Sequence, residues 1–420
     1  MNIFVTGVSH KNTPLEIREK ISFSVSEQKS VLQKIKNLED VDQSVILSTC
    51  NRTEVYVYSN RADFDSGLIE KLLCEVKGLC ISEMRKYFYT YRGVKSVRHL
   101  YEVASGLDSL VLGEDQILGQ VKGAYDLALD TCTSSGVLNT LFRDAITAAK
   151  KVKTETEISR NSVSVGSVAV KLISGFFEGR LQDKCALIIG TGKIGTIALK
   201  HLGDAGINKI YVTNRSHGKA VDLSRSYDYV NTVDYLERYS VMDRCDIVIS
   251  STSSPHYTIT RDMLENSITT KRQRIFVDLA VPRDIDEDIR ELQGIKYFNI
   301  DHLKAEVDGN IDKRMSEVSR AKEIIDRYVN EYTRWYEFRG VLPIVKDVQK
   351  YTEDILNEKI SQTLSRLKCA SDEDKEIVKA SIVTTVNSIL NKFVYNIREC
   401  ENKDDVEAYF RCLKEVIKND

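Results

Sequence analysis

Two apolar runs, Val45-Ile46-Leu47 and Val55-Tyr56-Val57-Tyr58, flank the polar segment Ser48-Thr49-Cys50-Asn51-Arg52-Thr53-Glu54. The second run alternates with a period of two and reads as a strand; the first reads as the end of a buried strand. Cys50 therefore falls on a short connection between two strands. The thiolate is the nucleophilic form of cysteine, and Arg52, two residues on, favours it. A second reading stands beside this one, because most cysteines are small buried apolar residues. Cys185 and Cys245 open apolar runs and are read in that second way. His99 is a candidate acid–base partner for the thiol, or a structural histidine on a helix face.

A second constellation lies in the middle of the chain. Gly190, Gly192 and Gly195 follow the apolar run Ala186-Leu187-Ile188-Ile189 and open a helical segment. In that context the spacing GxGxxG lets backbone approach a pyrophosphate while the helix N-terminus faces its charge. The next apolar run ends in Asn214-Arg215-Ser216. An NAD site normally offers an acid there; Arg and Ser suit the 2′-phosphate of NADP(H). A glycine turn without a ligand is the competing reading. Thiol and hydride donor together suggest one chemistry: a thiolate captures an activated acyl group, and hydride then delivers an aldehyde.

These residues need elements to hold them. The first part of the chain mixes strands and helices: a strand at Asn2–Ser9, a helix opened by Pro14, another from Ser26-Glu27, and helices after Gly93, Gln116 and Asn139. The middle part alternates short Ile/Val-rich runs with helical segments, which predicts a parallel sheet with crossover helices. From Leu303 apolar residues recur every three or four positions, which predicts one helix of about 36 residues. A break is expected at Gly340 and Pro343, followed by helical stretches at about 344–368, 372–398 and 403–418. A helix this long either spans domains or packs against a second chain.

Bulk properties narrow the function classes. The chain has 420 residues, with 60 basic against 62 acidic side chains and a net charge of -2. A large uniform basic face is not expected, so nucleic-acid contact would be local, and DNA is not an expected partner. Lys150, Lys151, Lys153 and Arg160 form a local basic stretch, read as a solvated helix face in preference to a nucleic-acid contact. No apolar run approaches the length of a membrane span, and none at the N-terminus reads as a signal peptide. The cysteines number nine, are scattered and include no CxxC, which argues against a disulfide framework or a metal site. The expected setting is the reducing cytoplasm.

The segments STCNRTEVY, ASGLDSLVLGEDQILGQVKGAY, ISRNSVSVGSVAV, GTGKIG with NRS, DIVISSTSSP and DLAVPRDID stand in the order seen in glutamyl-tRNA reductases, and the chain closely resembles that family. The resemblance implies NADPH-dependent reduction of glutamyl-tRNA to glutamate-1-semialdehyde, the first step of the five-carbon route to 5-aminolevulinate and porphyrins. It implies an α/β chain with three parts: an N-terminal α/β catalytic domain (1–155), a Rossmann-type NADP-binding domain (156–300), and a long spinal helix with an all-helical dimerisation domain (301–420). A V-shaped homodimer follows, with glutamate-1-semialdehyde aminomutase as a further partner. By position, Cys50 matches the nucleophile and His99 the active-site histidine. Thr49, Asn51, Arg52, Ser109, Glu114, Asp115, Gln116 and Gln120 match the substrate-lining segments, with Arg52 facing the substrate carboxylate. Gly190, Thr191, Gly192, Lys193, Ile194 and Gly195 match the NADPH turn.

The chain departs from the family pattern at three places. Asp115 stands where Pro is usual, GTGKIG replaces GAGxMG, and the C-terminal helices lack a usual His and Pro. Two rival readings remain: another NADP-dependent oxidoreductase, similar to shikimate dehydrogenase, which needs no thiol at position 50, and a non-catalytic tRNA- or NADP-binding protein.

Overall fold

A computed structural model describes residues 1–109, 112–113, 116–156, 158, 164–303, 311–367 and 371–398. The chain divides into two compact units, Met1–Val329 and Asn330–Asp420.

The first unit opens with β1 (Ile3–Ser9), α1 (Leu15–Lys20), α2 (Val25–Lys36), β2 (Val41–Ser48), β3 (Arg52–Ser59), α3 (Gly67–Lys77), α4 (Ile81–Met84), β4 (Tyr89–Arg92), α5 (Val94–Ala104), α6 (Gln116–Asp130) and α7 (Gly136–Glu155). The strands form an antiparallel sheet in the order β2-β3-β1-β4. Ser24 and Glu27 start α2 with a reciprocal capping box, which fixes its first turn one residue before the expected start. Alternation along β3 sorts its side chains. Val55 and Val57 pack on one face against Val31, Leu32, Ile35 and Leu73. Tyr56 points to the other face, edge-on to Phe142 of α7 at 5.4 Å.

The same unit continues with α8 (Val165–Phe176), β5 (Cys185–Ile189), α9 (Lys193–Asp204), β6 (Lys209–Thr213), α10 (His217–Ser224), β7 (Val230–Thr232), α11 (Arg238–Met242), β8 (Ile247–Ser250), α12 (Arg261–Ser267), β9 (Arg274–Asp278) and β10 (Ile295–Asn299). Here the sheet is parallel, in the order β10-β9-β8-β5-β6-β7. Both faces are covered. Ile188, Val212 and Ile249 pack with Val168 and Leu199 on one side, and Leu187, Val248 and Phe276 pack with Met242 and Leu264 on the other. Double burial explains why these strands read as unbroken apolar runs. The winding direction reverses between β5 and β8, which opens a crevice at their C-terminal ends.

Two long helices complete the described chain: α13 (Ile311–Arg366) and α14 (Asp372–Arg398). The break expected at Gly340 and Pro343 does not occur, because α13 runs unbroken through both. A proline removes one donor and costs about 3 kcal/mol locally. Helix-forming residues on either side keep the hydrogen-bond ladder, and a Cβ at Gly340 would meet nothing within 4 Å, so no close approach there demands a glycine. Leu303, expected to begin this helix, instead lies in a turn and is buried in the core of the parallel-sheet domain. The 372–398 stretch is helical as expected, and the 403–418 stretch lies outside the described residues. Strands β4, β7 and β10 were not expected; β4 and β7 have four and three residues, and Lys296 interrupts the apolar residues of β10.

Candidate active site

Cys50 sits on the turn joining β2 to β3 and is half-buried. The turn is built by Thr49. Its N–H donates to Arg52 O at 2.8 Å, and its Oγ1 accepts from the N–H groups of Asn51 and Arg52, both at 3.2 Å. His10 N–H donates to Asn51 O at 2.8 Å, tying the turn to the end of β1. Asn51 Oδ1 is buried without a hydrogen-bond partner among the described residues, so it remains an acceptor available to a ligand.

Next to this turn lies a buried polar network. Arg52, Glu54 and Tyr56 occupy alternate positions on β3 and share one face. Glu54 is fully buried and accepts from Arg52 Nη1 at 2.7 Å, Tyr56 Oη at 2.6 Å, His99 Nε2 at 2.9 Å and Tyr89 Oη. Tyr89 reaches across because Gly7 of β1 stands between the two, paired with Glu54 on one side and Tyr89 on the other. A Cβ at Gly7 would lie 2.2 Å from Thr53 O. Arg52 is buried as well; Nη1 also donates to Asp108 Oδ2 at 2.8 Å and Nη2 to Asp108 O, while Lys11 caps the other oxygen of Asp108.

These contacts set the charges. Burial alone would push the Glu54 carboxyl up, but the facing His99 and Arg52 outweigh it and hold it below the ordinary range. Burial and the Glu54 charge push the hydroxyls of Tyr56 and Tyr89 well above theirs, so both stay donors. Because an ionised carboxylate only accepts, His99 Nε2 is the donor in this bond. The Arg52 guanidinium is thus committed to two carboxylates, and its charge is spent inside the network.

The second constellation forms a cleft of about 920 Å³ at the crevice of the parallel sheet. Gly190, Thr191, Gly192, Lys193 and Ile194 line it, as do Asn214, Arg215 and Ser216. Gly190 has φ +100°, and a Cβ there would lie 2.7 Å from Ser251 O. Thr191 Oγ1 and Ser251 Oγ are buried with no hydrogen-bond partner among the described residues. A glycine cradle with two orphaned hydroxyls at a helix N-terminus fits a dinucleotide phosphate. The opposite wall comes from α6 of the first domain: Gln116, Gly119 and Gln120 face the cleft.

Comparison with known proteins agrees along the whole chain. Residues 6–156 match the model described as glutamyl-tRNAGlu reductase, N-terminal domain, residues 171–306 that of shikimate/quinate 5-dehydrogenase, and residues 320–418 that of the glutamyl-tRNAGlu reductase dimerisation domain. Glutamyl-tRNA reductase of Carboxydothermus hydrogenoformans is 39% identical over 402 residues, 95% of this chain and 89% of that protein. The chain belongs to the glutamyl-tRNA reductase family. The Clostridium novyi reductase is 34% identical over 419 residues and matches end to end, covering 100% of both chains. Among solved structures, the glutamyl-tRNA reductase from Methanopyrus kandleri covers 99% of both chains at 28% identity, with a TM-score of 0.49.

With the family established, the expected three-part α/β architecture holds: an N-terminal catalytic domain, a dehydrogenase-type parallel-sheet domain carrying an NAD(P) site, and a helical dimerisation domain. Among the described residues no helix is long and apolar enough to cross a membrane. Thr49 and Asn51 build the turn that carries Cys50, while Arg52 and His99 meet on the Glu54 carboxylate of β3. Ser109 is half-buried after α5, while Glu114 and Asp115 lie outside the described residues. Gln116 and Gln120, expected to line the substrate site, stand on the wall of the dinucleotide cleft. In the basic stretch, Lys151 pairs with Glu155 at 3.8 Å, and Arg160 lies outside the described residues.

Several site residues escaped the sequence reading. Glu54 could have been found, because Arg52, Glu54 and Tyr56 alternate. Lys219, which lines the cleft four residues after Arg215, carries a similar signal in the pair of cations at the start of α10. Asp108, Lys11 and Tyr89 give none, since each arrives from a distant element.

Proposed function

We propose that the chain reduces the glutamyl ester of glutamyl-tRNA to glutamate-1-semialdehyde through a thioester on Cys50, with NADPH as hydride donor, in the cytoplasm and as a homodimer. The product enters the five-carbon route to 5-aminolevulinate and tetrapyrroles, with the aminomutase as its acceptor. One observation carries this reading. Cys50 of the first domain packs against the hydrophobic core of the dehydrogenase-type domain, whose cleft has Gln116 and Gln120 of the first domain in its wall. Thiol and dinucleotide cleft thus belong to one compact unit.

The chemistry follows from the residues. Cys50 attacks as thiolate; its sulfur bonds to the ester carbon, and the bond to the tRNA ribose oxygen breaks, leaving an alkoxide that takes a proton. His99, held by Glu54 through Nε2, takes the Cys50 thiol proton on Nδ1 and returns it to that alkoxide. The glycine turn at 190–195 with Arg215 and Lys219 would hold NADPH, which would supply the hydride that the acyl carbon accepts. Cys50 then leaves as thiolate, freeing the aldehyde. Arg215 and Lys219 line the cleft beside Asn214 and Ser216 after β6, and two cations at that position favour a cofactor with a 2′-phosphate, which supports NADPH over NADH.

The test is NADPH oxidation with purified glutamyl-tRNA against free glutamate. Only the acylated tRNA should support oxidation with formation of semialdehyde. Equal oxidation with free glutamate, or none with either, would overturn the reading.

A further inference from the structure

Arg18 is a cation that the chemistry above does not use. It lies on the short helix α1, is 3% exposed, and spreads its guanidinium over three segments. Nε donates to Thr13 O at 3.1 Å, Nη1 to Cys50 O at 2.7 Å, and Nη2 to the Asp301 carboxylate. Thr13 belongs to its own loop, Cys50 to the nucleophile turn, and Asp301 to the turn after β10 of the dehydrogenase-type domain. Asp301 is itself set in place, its N–H donating to Asn299 Oδ1 at 3.1 Å.

The next residue makes a second bridge. Glu19 Oε1 accepts from Arg283 N–H at 2.7 Å and from Arg283 Nε at 2.9 Å. Arg283 adjoins Asp284, a buried carboxylate that accepts from Ser250 Oγ and Thr252 N–H, both at 2.7 Å. Thr252 lines the dinucleotide cleft beside Ser251. One turn of α1 therefore ties the carbonyl of Cys50 to two loops of the other domain, one of which reaches the cleft wall.

The nucleophile turn does not need Arg18 to keep its own shape. Thr49 and the His10–Asn51 bond already hold it. What Arg18 adds is registration between the turn and the other domain. We infer that Arg18, through its Asp301 partner, is a positioning residue that sets Cys50 against the dinucleotide cleft for hydride delivery, apart from acyl capture. The inference rests on the proposed thioester route.

The test compares two partial reactions in Arg18→Met, Asp301→Asn and the double variant. Semialdehyde formation should fall about tenfold in each single variant. Release of glutamate from glutamyl-tRNA without NADPH, and alkylation of Cys50 by iodoacetamide, should stay within about twofold of the parent. The double variant should be no worse than either single one, because the pair acts as a unit, and Arg18→Lys should restore part of the loss. Equal falls in both partial reactions, multiplying losses in the double variant, or no loss of reduction would each overturn the inference. If Arg18→Met does not fold, Asp301→Asn together with Arg283→Gln decides by the same ratio. Failure of the thioester route has its own mark: NADPH-free deacylation that survives Cys50→Ser. The non-additivity of Arg18 and Asp301 in overall reduction then still decides the positioning role.

Discussion

His99 Nε2 stands 2.9 Å from Glu54 Oε1, on a carboxylate that is fully buried and also held by Arg52 and two tyrosines. One residue thereby sets the histidine's protonated nitrogen and absorbs the arginine's charge. Glu54 is the centre of the polar network below the Cys50 turn, and its removal leaves the buried Arg52 with one counter-charge, Asp108, where it had two.

Glu54→Gln should lower unfolding free energy by about 3 kcal/mol at pH 7, the scale for breaking one side of a buried ion pair. The sign of its pH dependence follows from the lowered carboxyl. Its stabilisation is present above the ordinary value of 4.5 and is lost only as pH falls through the lower folded value. The gap between parent and variant, measured by urea unfolding, should therefore stay level from pH 7 to about 5 and close in stronger acid. A gap that widens on acidification would refute this account.

Cys50→Ser should abolish reduction, because a serine hydroxyl is almost un-ionised and its ester is a poor hydride acceptor. Cys74 is buried, its thiol pushed up to about 11 mainly by burial, so Cys74→Ser should keep turnover. Near-normal turnover in Cys50→Ser, with loss in Cys74→Ser, would reverse the assignment.

Arg215→Ala and Lys219→Ala should each weaken catalytic efficiency with NADPH by about 1.5–3 kcal/mol, roughly 10- to 150-fold, and leave NADH nearly unchanged. Steady-state kinetics with both cofactors checks it. Equal losses for NADPH and NADH would mean that neither cation reads the 2′-phosphate.

Gly190→Asp should separate the two half-reactions. Its side chain would enter space 2.7 Å from Ser251 O and set a carboxylate against the pyrophosphate. Reduction should vanish while glutamate release from glutamyl-tRNA continues with NADPH present. Labelled product analysis, with mass spectrometry of the acid-quenched protein for a glutamyl adduct on Cys50, is the measurement; loss of deacylation together with reduction would count against stepwise chemistry.

The full chain should be a dimer at micromolar concentration by light scattering, and a chain ending after Glu337 should be a monomer or an aggregate. The truncation cuts α13 and removes all of α14. A full-length monomer would refute the dimer.

What could be read along the chain was what short-range physics determines. Period-two alternation and unbroken apolar runs located β3 and the four central strands of the parallel sheet. The glycine spacing located the dinucleotide turn, because a positive φ at Gly190 is a local demand. The polar gap between two apolar runs located Cys50. Tertiary structure decided which distant groups these elements meet. Arg52 looked free to serve the thiol or a substrate carboxylate, yet folding brings Asp108 from beyond α5 and Glu54 from its own strand onto it. Gln116 and Gln120 were read as substrate residues, and only folding shows that α6 brings them to the same cleft as the glycine turn. Gly340 and Pro343 looked like a helix end, yet the cost of one missing donor is small beside a long ladder that continues on both sides. Arg18 carried no local signal, because its meaning lies in a carbonyl and a carboxylate 32 and 283 residues away. Periodicity reports which face of an element is apolar; it is silent on which buried charges will share an oxygen, since that depends on strand order and on the packing of separate domains.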